Sequence, residues 1–393
     1  MTRTSSFTTR LPRRSTRSLN QSQRISDGHN EAEISLPRRQ RSNRKRSSCS
    51  SSVSKVKRSN GEAQTLTSTI GGSMMPPLLS LGTLVKGTVL KRPSSQVKSP
   101  YVADVSLDDS TIVLAHAPAL DVGGMCVPGK TVYMSSRPAG GKTSHAIELV
   151  VSEAPNNDER VLVGAHPRLG ELIAYEVLKR GLLKDAFSLS GGFKIGPVHD
   201  FSNDNDDQNI KHNDEQRISL KQQVTLGDSR VDFEMKIHKL NEEKPHRVVF
   251  EVKNVVCADY EKGAEPVKSG INHCVVVAES SDDAPYKRAA LFPWAKSRSQ
   301  TFEDKKVCSA RALKHLRNLY DLSSDKEVTP VVLFIVNRSD CETVRACHEA
   351  CPVFRDVLEE VTRNGAVQAL GIRVRWTEGG SCYFDGLIPV KTS

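Results

Sequence analysis

The chain has 393 residues, of which 37% are hydrophobic and 26% charged, with a formal net charge of +10; that is enough for two ordinary domains and further material. The charge is uneven: residues 1–75 hold 15 Lys and Arg against 4 Asp and Glu, whereas the whole chain holds 56 against 46, so the rest is within one charge of neutral. This excludes an argument from isoelectric point that the folded body binds nucleic acid, which needs a basic domain, and the nine scattered cysteines predict reduced thiols of an intracellular protein, not a disulfide scaffold.

Residues 1–78 are rich in Ser and Arg and lack periodic apolar positions, which predicts a disordered tail. Its first 26 residues contain no acid and resemble an organellar transit peptide. The basic cluster at 37–46 instead resembles a nuclear localisation signal and favours the nucleus. Residues 79–155 carry five short strand-like runs, at 84–90, 101–105, 111–116, 131–134 and 147–151, separated by turn residues such as Gly123-Gly124 and Pro128-Gly129. That texture predicts a small barrel of the oligonucleotide-binding (OB) type or a sandwich. Gly140-Gly141-Lys142-Thr143 is not a phosphate loop, because Ser136 stands where the first glycine is required.

From residue 156 to 393 the pattern becomes mixed α/β. A strand is expected at 161–164 and a helix at 172–183, with Leu172, Val177, Leu178 and Leu182 among its apolar positions and Glu176 within it. Insertions are expected near 200–220 and 258–305. A helix at 308–322 buries Leu313, Leu316, Leu319 and Tyr320 and leaves Arg311, Lys314 and His315 off its apolar stripe. The continuous apolar run 331–336 predicts a buried strand and is too short to span a bilayer, so a soluble protein without a membrane partner is expected. A helix at 354–362 and strands at 367–376 and 383–390 close the chain. Cys341, Cys347, Cys351 and His348 lack the paired spacing of a structural zinc site.

Between the insertions lies a hairpin, 230–237 and 247–256, on which the functional reading turns. Centring its turn between Asn241 and Glu242 puts Val231 opposite Val252, Phe233 opposite Phe250 and Met235 opposite Val248, so that one face is apolar. The other face gathers Arg230, Asp232, Glu251 and Lys253. Two readings remain open on geometry alone. Water covers a charged outer face, or a divalent cation relieves the repulsion between Asp232 and Glu251, with Lys253 beside it to orient an attacking water.

Several motifs in order then resemble the sugar fermentation stimulation protein A family. They are residues 223–233 (Gln-Val-Thr-Leu-Gly-Asp-Ser-Arg-Val-Asp-Phe), 251–255 (Glu-Val-Lys-Asn-Val), 311–316 (Arg-Ala-Leu-Lys-His-Leu) and 337–340 (Asn-Arg-Ser-Asp). In the first part, Ala103-Asp104-Val105, His116, Pro128-Gly129 and Lys142-Thr143 also fall at matching places. The resemblance covers about 82–390. It implies an OB-like barrel followed by a restriction-endonuclease-like domain of the PD-(D/E)XK type, and a nucleic-acid-binding protein that is a metal-dependent nuclease, with DNA the favoured partner.

Carried onto this chain, the resemblance implies that Asp232 and Glu251 hold Mg²⁺ or Mn²⁺ with Glu176 completing the shell. Lys253 would position the water, and Lys314, Arg311 and Lys142 would contact nucleic acid. The chain departs from the family at the barrel turn 118–121, at Glu171-Leu172 where the family has Asn-Arg, and at Gln223 where it has Glu. The alternatives are a catalytically silent DNA-binding or regulatory protein and a protein-interaction module.

Overall fold

The computed structural model describes residues 75–392 apart from 118–123, 154–159, 187–188, 190–192, 199–215, 228, 240–241, 266–273, 279–285 and 296. All of them lie in the second of two units into which the chain divides, 68–393. Most of the expected disordered tail, the barrel turn at 118–121 and most of the insertion near 200–220 fall outside the described residues.

A two-residue strand, β1 (Leu79–Ser80), precedes five barrel strands: β2 (Val85–Lys91), β3 (Val102–Leu107), β4 (Ile112–His116), β5 (Thr131–Ser136) and β6 (His145–Glu153). They pair in the order β4-β3-β2-β5-β6, and β4 also pairs in parallel with β6 through Ala115 and His116. That last pairing closes a five-stranded barrel around Val89, Val105, Val132, Met134, Ile147 and Val150, and closure removes the exposed edges of an open sheet. The strand expected at 161–164 is β7 (Arg160–Gly164), which extends the barrel sheet by pairing with β6.

Next come α1 (Arg168–Lys179), β8 (Gln216–Leu226), β9 (Ser229–Lys239), β10 (His246–Val255), β11 (Cys257–Ala258), β12 (Ala289–Phe292) and the hairpin β13 (Gln300–Phe302) with β14 (Lys305–Val307). The chain ends with α2 (Ala310–Leu322), β15 (Val328–Val336), β16 (Thr343–Ala346), α3 (Pro352–Thr362), β17 (Gln368–Trp376), β18 (Ser381–Ile388) and β19 (Val390–Lys391). A seven-stranded sheet runs β1-β18-β17-β15-β10-β9-β8. Its centre, β10, β15 and β17, is parallel. Such strands are covered on both faces, and every residue of β15 from Pro330 to Val336 is buried. One face packs with α1 through Leu169, Ile173, Val177 and Leu178. The other packs with α2 and α3 through Leu313, Leu316, Phe354 and Leu358. The mixed α/β architecture, a closed barrel followed by a larger sheet, is as the sequence implies.

Several boundaries differ from expectation. Helix α1 begins four residues earlier than predicted and ends before Gly181, whose φ of +65° suits glycine and whose Cβ would overlap the backbone of Gly196 and Pro197. Leu172 and Tyr320, assigned to buried stripes, are exposed. Residues 216–220 are not insertion but the start of β8, an edge strand paired with β9 along its length. Residues 257–292 contribute β11 and β12 to a small sheet, β11-β12-β16-β19. Residues 79–80 pair with β18 rather than with the barrel.

A buried carboxylate and lysine site under helix α2

The predicted register of β9 and β10 holds as far as Phe233, with Phe233 facing Phe250, Met235 facing Val248 and Ile237 facing His246, but the expected pairing of Val231 with Val252 is not made, the two packing in different clusters. The ladder ends at Phe233 and Phe250. One residue further, the Asp232 side chain replaces the backbone: its Oδ2 accepts the Val252 N–H at 2.7 Å. On the opposite edge Gln223 adopts a left-handed φ of +54°, and the β8–β9 register passes from Gln222–Phe233 to Val224–Val231. The alternation expected for β9 changes here. Val231 packs with the α2 and α3 cluster, while Phe233 packs with the α1 cluster.

On the charged face of the hairpin Arg230 is exposed and Asp232 half-buried, but the β10 residues are not solvated. Glu251 and Lys253 are 4% and 7% exposed, because α2 covers them. Ser309 caps α2, its Oγ accepting the Ala312 N–H at 3.2 Å, and Asn318 Nδ2 donates to Ser229 Oγ at the start of β9. Docked this way, α2 brings His315 to β10. Lys253 Nζ donates to Glu251 Oε1 at 2.5 Å, and His315 Nδ1 donates to the same oxygen. Arg311 Nε lies 3.4 Å from His315 Nε2, one helical turn away on the same face.

These contacts separate the two carboxylates electrostatically. Burial, reinforced by the Glu251 charge, pushes Asp232 up to about 6, against the opposing Val252 N–H and Lys253. Burial also disfavours ionised Glu251, but its bonds to His315 and Lys253 outweigh this and hold the carboxyl below its ordinary value.

Helix α1 carries two acids of interest, the predicted Glu176 and Glu171. Glu176 is paired with Arg180 at 2.8 Å, and Arg180 also donates to the carbonyls of Pro76, Pro77 and Leu78. Glu176 is therefore engaged through Arg180 in holding the segment before β1. The acid beside Asp232 is Glu171. Gln223 Nε2 donates to Glu171 Oε2 at 3.0 Å and lies 3.4 Å from Asp232 Oδ1. Gly170 permits this approach, since a Cβ there would meet Asn254 Cβ at 2.9 Å.

Of the other predicted residues, Arg311 reaches the site through His315, Lys314 is exposed on α2, and Lys142 is exposed in the loop between β5 and β6. Arg338 and Asp340 of the fourth motif form a buried ion pair at 2.6 Å, with Arg338 also donating to the Val256 carbonyl. They join elements rather than line the site. Asp104 accepts from the Ser95 N–H at 2.8 Å and fixes the loop after β2. Sequence reasoning missed the parts of His315, Glu171 and Gln223. The one available signal was the spacing of Arg311 and His315, off the buried stripe of α2.

Among the described residues no group of three or more His, Cys, Asp or Glu side chains is gathered as a metal cage. The donor set is two carboxylates. That fits a hard divalent ion of the Mg²⁺ kind, which takes one or two protein carboxylates and completes its shell with water and substrate oxygens. Burial first, and then the Glu251 charge, disfavour ionised Asp232, and a bound cation would offset both. No helix of the described residues is long and apolar enough to cross a membrane.

Comparison with known proteins bears out the family resemblance. The sugar fermentation stimulation protein RE domain matches residues 302–380. The chain is 27% identical over 296 residues to a sugar fermentation stimulation protein homolog of Citrifermentans bemidjiense, covering 75% of this chain and 91% of that protein. A homolog from Geobacter sp. strain M21 is also 27% identical, over 297 residues, with the same coverages. The solved structure of Pyrococcus furiosus SfsA in complex with Ca²⁺ aligns with a TM-score of 0.51 at 15% identity, covering 81% of this chain and all of that one; at this identity the likeness speaks for the fold. The curated relatives are bacterial. Bacteria have neither a nucleus nor transit-peptide-importing organelles, so the nuclear and organellar readings of the N-terminal residues are corrected and unsupported.

Proposed function

We propose that this chain, a relative of the sugar fermentation stimulation proteins, is a nucleic-acid-binding protein that hydrolyses phosphodiester bonds with Mg²⁺ or Mn²⁺, DNA being the favoured partner. One observation carries the reading: Asp232 turns its side chain to the Val252 N–H where the β9–β10 ladder opens, beside the buried Glu251 and Lys253 pair. Its relative in Pyrococcus furiosus was solved with Ca²⁺, a hard cation that takes oxygen ligands.

Asp232 and Glu251 would hold the ion. When bound, it would supply Lewis-acid polarisation of a phosphoryl oxygen and lower the pKa of a neighbouring water. The residues do the rest. The Val252 N–H fixes the rotamer of Asp232, leaving its other oxygen for coordination. His315, steadied by Arg311, orients Glu251 as an outer-sphere donor. Lys253 holds its ammonium at Glu251, where it can orient a water and offset charge that develops on the phosphate. Lys314, exposed next to His315, is positioned to contact a phosphate. Because the protein offers few ligands, binding of the ion is expected to strengthen with substrate present.

A cleavage screen over single- and double-stranded DNA and RNA in Mg²⁺ and Mn²⁺ tests the reading. The wild type should cut at least one form, and Asp232→Ala and Lys253→Ala should not; equal cutting by all three proteins would end it. One observation favours the alternative of a catalytically silent DNA-binding protein: Glu251 Oε1 is already shared by Lys253 and His315, an internal neutralisation of the carboxylate. That reading expects retention of nucleic acid without metal-dependent cleavage of any substrate.

A further inference from the structure

Outside the carboxylate site, basic side chains collect where the barrel meets the start of α1. The folded body is near neutral, so this local excess is not an effect of composition. Arg168 opens α1 and is 55% exposed, while its Nη2 donates at 2.8 Å to Glu148, whose side chain is 1% exposed. Ser135 Oγ donates to the same oxygen at 2.9 Å. A buried carboxylate thus fixes an exposed guanidinium by one edge, and the remaining N–H groups of the fork face outward. Arg137 is exposed on the loop after β5, and its Nη1 donates at 2.7 Å to Thr143 Oγ1, the residue following Lys142.

Two histidines feel the charges of these arginines. Burial, then the charges of Arg137 and Arg92, hold His116 below its ordinary value. Burial lowers His166 too, with Arg168 and Arg137 adding to it against Glu148.

The position of this cluster ties it to the proposed chemistry. Arg168 and Glu171 are three residues apart on α1, hence neighbours on one face with Cβ atoms about 5–6 Å apart. Arg168 contacts the barrel through Glu148, and Glu171 contacts Gln223 beside Asp232. Successive phosphates of a strand are separated by a comparable step.

We propose that Arg137 and Arg168, held by Thr143 and Glu148, form a phosphate-binding subsite that grips a nucleic-acid strand one helical turn along α1 from Glu171, which meets Gln223 beside Asp232. The inference rests on the proposed nuclease reading and adds where the strand runs: from the β9–β10 opening across the first turn of α1 onto the barrel. Glu148 is a positioning residue, acting through Arg168.

The test uses the full chain, metal-free in EDTA, with a fluorescein-labelled single-stranded DNA of about 20 nucleotides, enough to span a barrel-sized site. Anisotropy is followed against salt, and Mn²⁺ is titrated calorimetrically into the same proteins. Loss of two phosphate contacts should lower the log–log salt slope by about 1.4 in Arg137→Ala/Arg168→Ala. Arg137→Lys/Arg168→Lys, which keeps the charges, should retain most of the slope, and Mn²⁺ binding should be unchanged in both. An unchanged slope in the alanine variant overturns the subsite while leaving the metal reading standing. Failure of the wild type to hold the DNA at low salt also overturns it, whatever Mn²⁺ does. Loss of Mn²⁺ binding in the wild type strikes instead at the proposed metal site.

Discussion

The buried acid Asp232 makes the sharpest prediction. Its carboxyl moves from an ordinary value of 3.8 to about 6 because burial and Glu251 disfavour the charge. A group whose folded value is raised favours the folded state below its unfolded value and loses that contribution as pH rises through the folded one. The relevant window is therefore from about pH 4 to about pH 6. Two units would be worth about 3 kcal/mol at most, and solvent screening of a partly accessible carboxyl reduces this to roughly 1–2 kcal/mol. Asp232→Asn keeps an acceptor for the Val252 N–H but carries no charge. In urea titrations with EDTA it should be more stable than wild type by that amount at pH about 7.5, and indistinguishable at pH about 4. Excess Mn²⁺ should reverse the order at neutral pH, since only wild type gains binding energy in the folded state. If the variant is no more stable at neutral pH, the like-charge account of this pair is wrong.

Other expectations follow from individual contacts. His315→Ala should weaken Mn²⁺ binding or cleavage about 10–100-fold by releasing Glu251, measured by calorimetry and initial rates. Glu176→Ala should leave Mn²⁺ binding at the wild-type value, because its carboxylate serves Arg180; a large loss would restore it as a ligand. Arg338→Ala should cost about 1.5–3 kcal/mol in chemical denaturation, since Asp340 loses one of its two buried guanidinium partners and keeps Arg288. Gly181→Ala should destabilise by at least about 2 kcal/mol, combining a left-handed backbone with overlap at Gly196 and Pro197.

Much of the architecture was legible where the local signal and the tertiary role agree. The β9–β10 register followed from matching Phe233 with Phe250 and Met235 with Val248, since a slip of one residue would turn every apolar side chain to the wrong face. The run in β15 declared its burial through continuous apolar residues. What failed depended on distant chain. Glu251 and Lys253 look like a solvated face in sequence, and only α2, some sixty residues later in sequence, encloses them and delivers His315. Strand β8 reads as polar because it is an edge, with only Ile218 buried along its length. Glu171 and Glu176 both lie on α1, and the choice between them turned on Arg180 and Gln223, which no local pattern distinguishes. The Asp232 bond to Val252 replaces a ladder bond with a side chain and has no periodic signature.

The central claim is that Asp232 and Glu251 form one divalent-metal site. Calorimetric titration of Mn²⁺ into the wild type and Asp232→Ala tests it most directly. The account predicts a single binding event in the wild type that the substitution abolishes while the protein stays folded. Equal isotherms for the two proteins, or no binding by the wild type even with a nucleic-acid strand present, would contradict it.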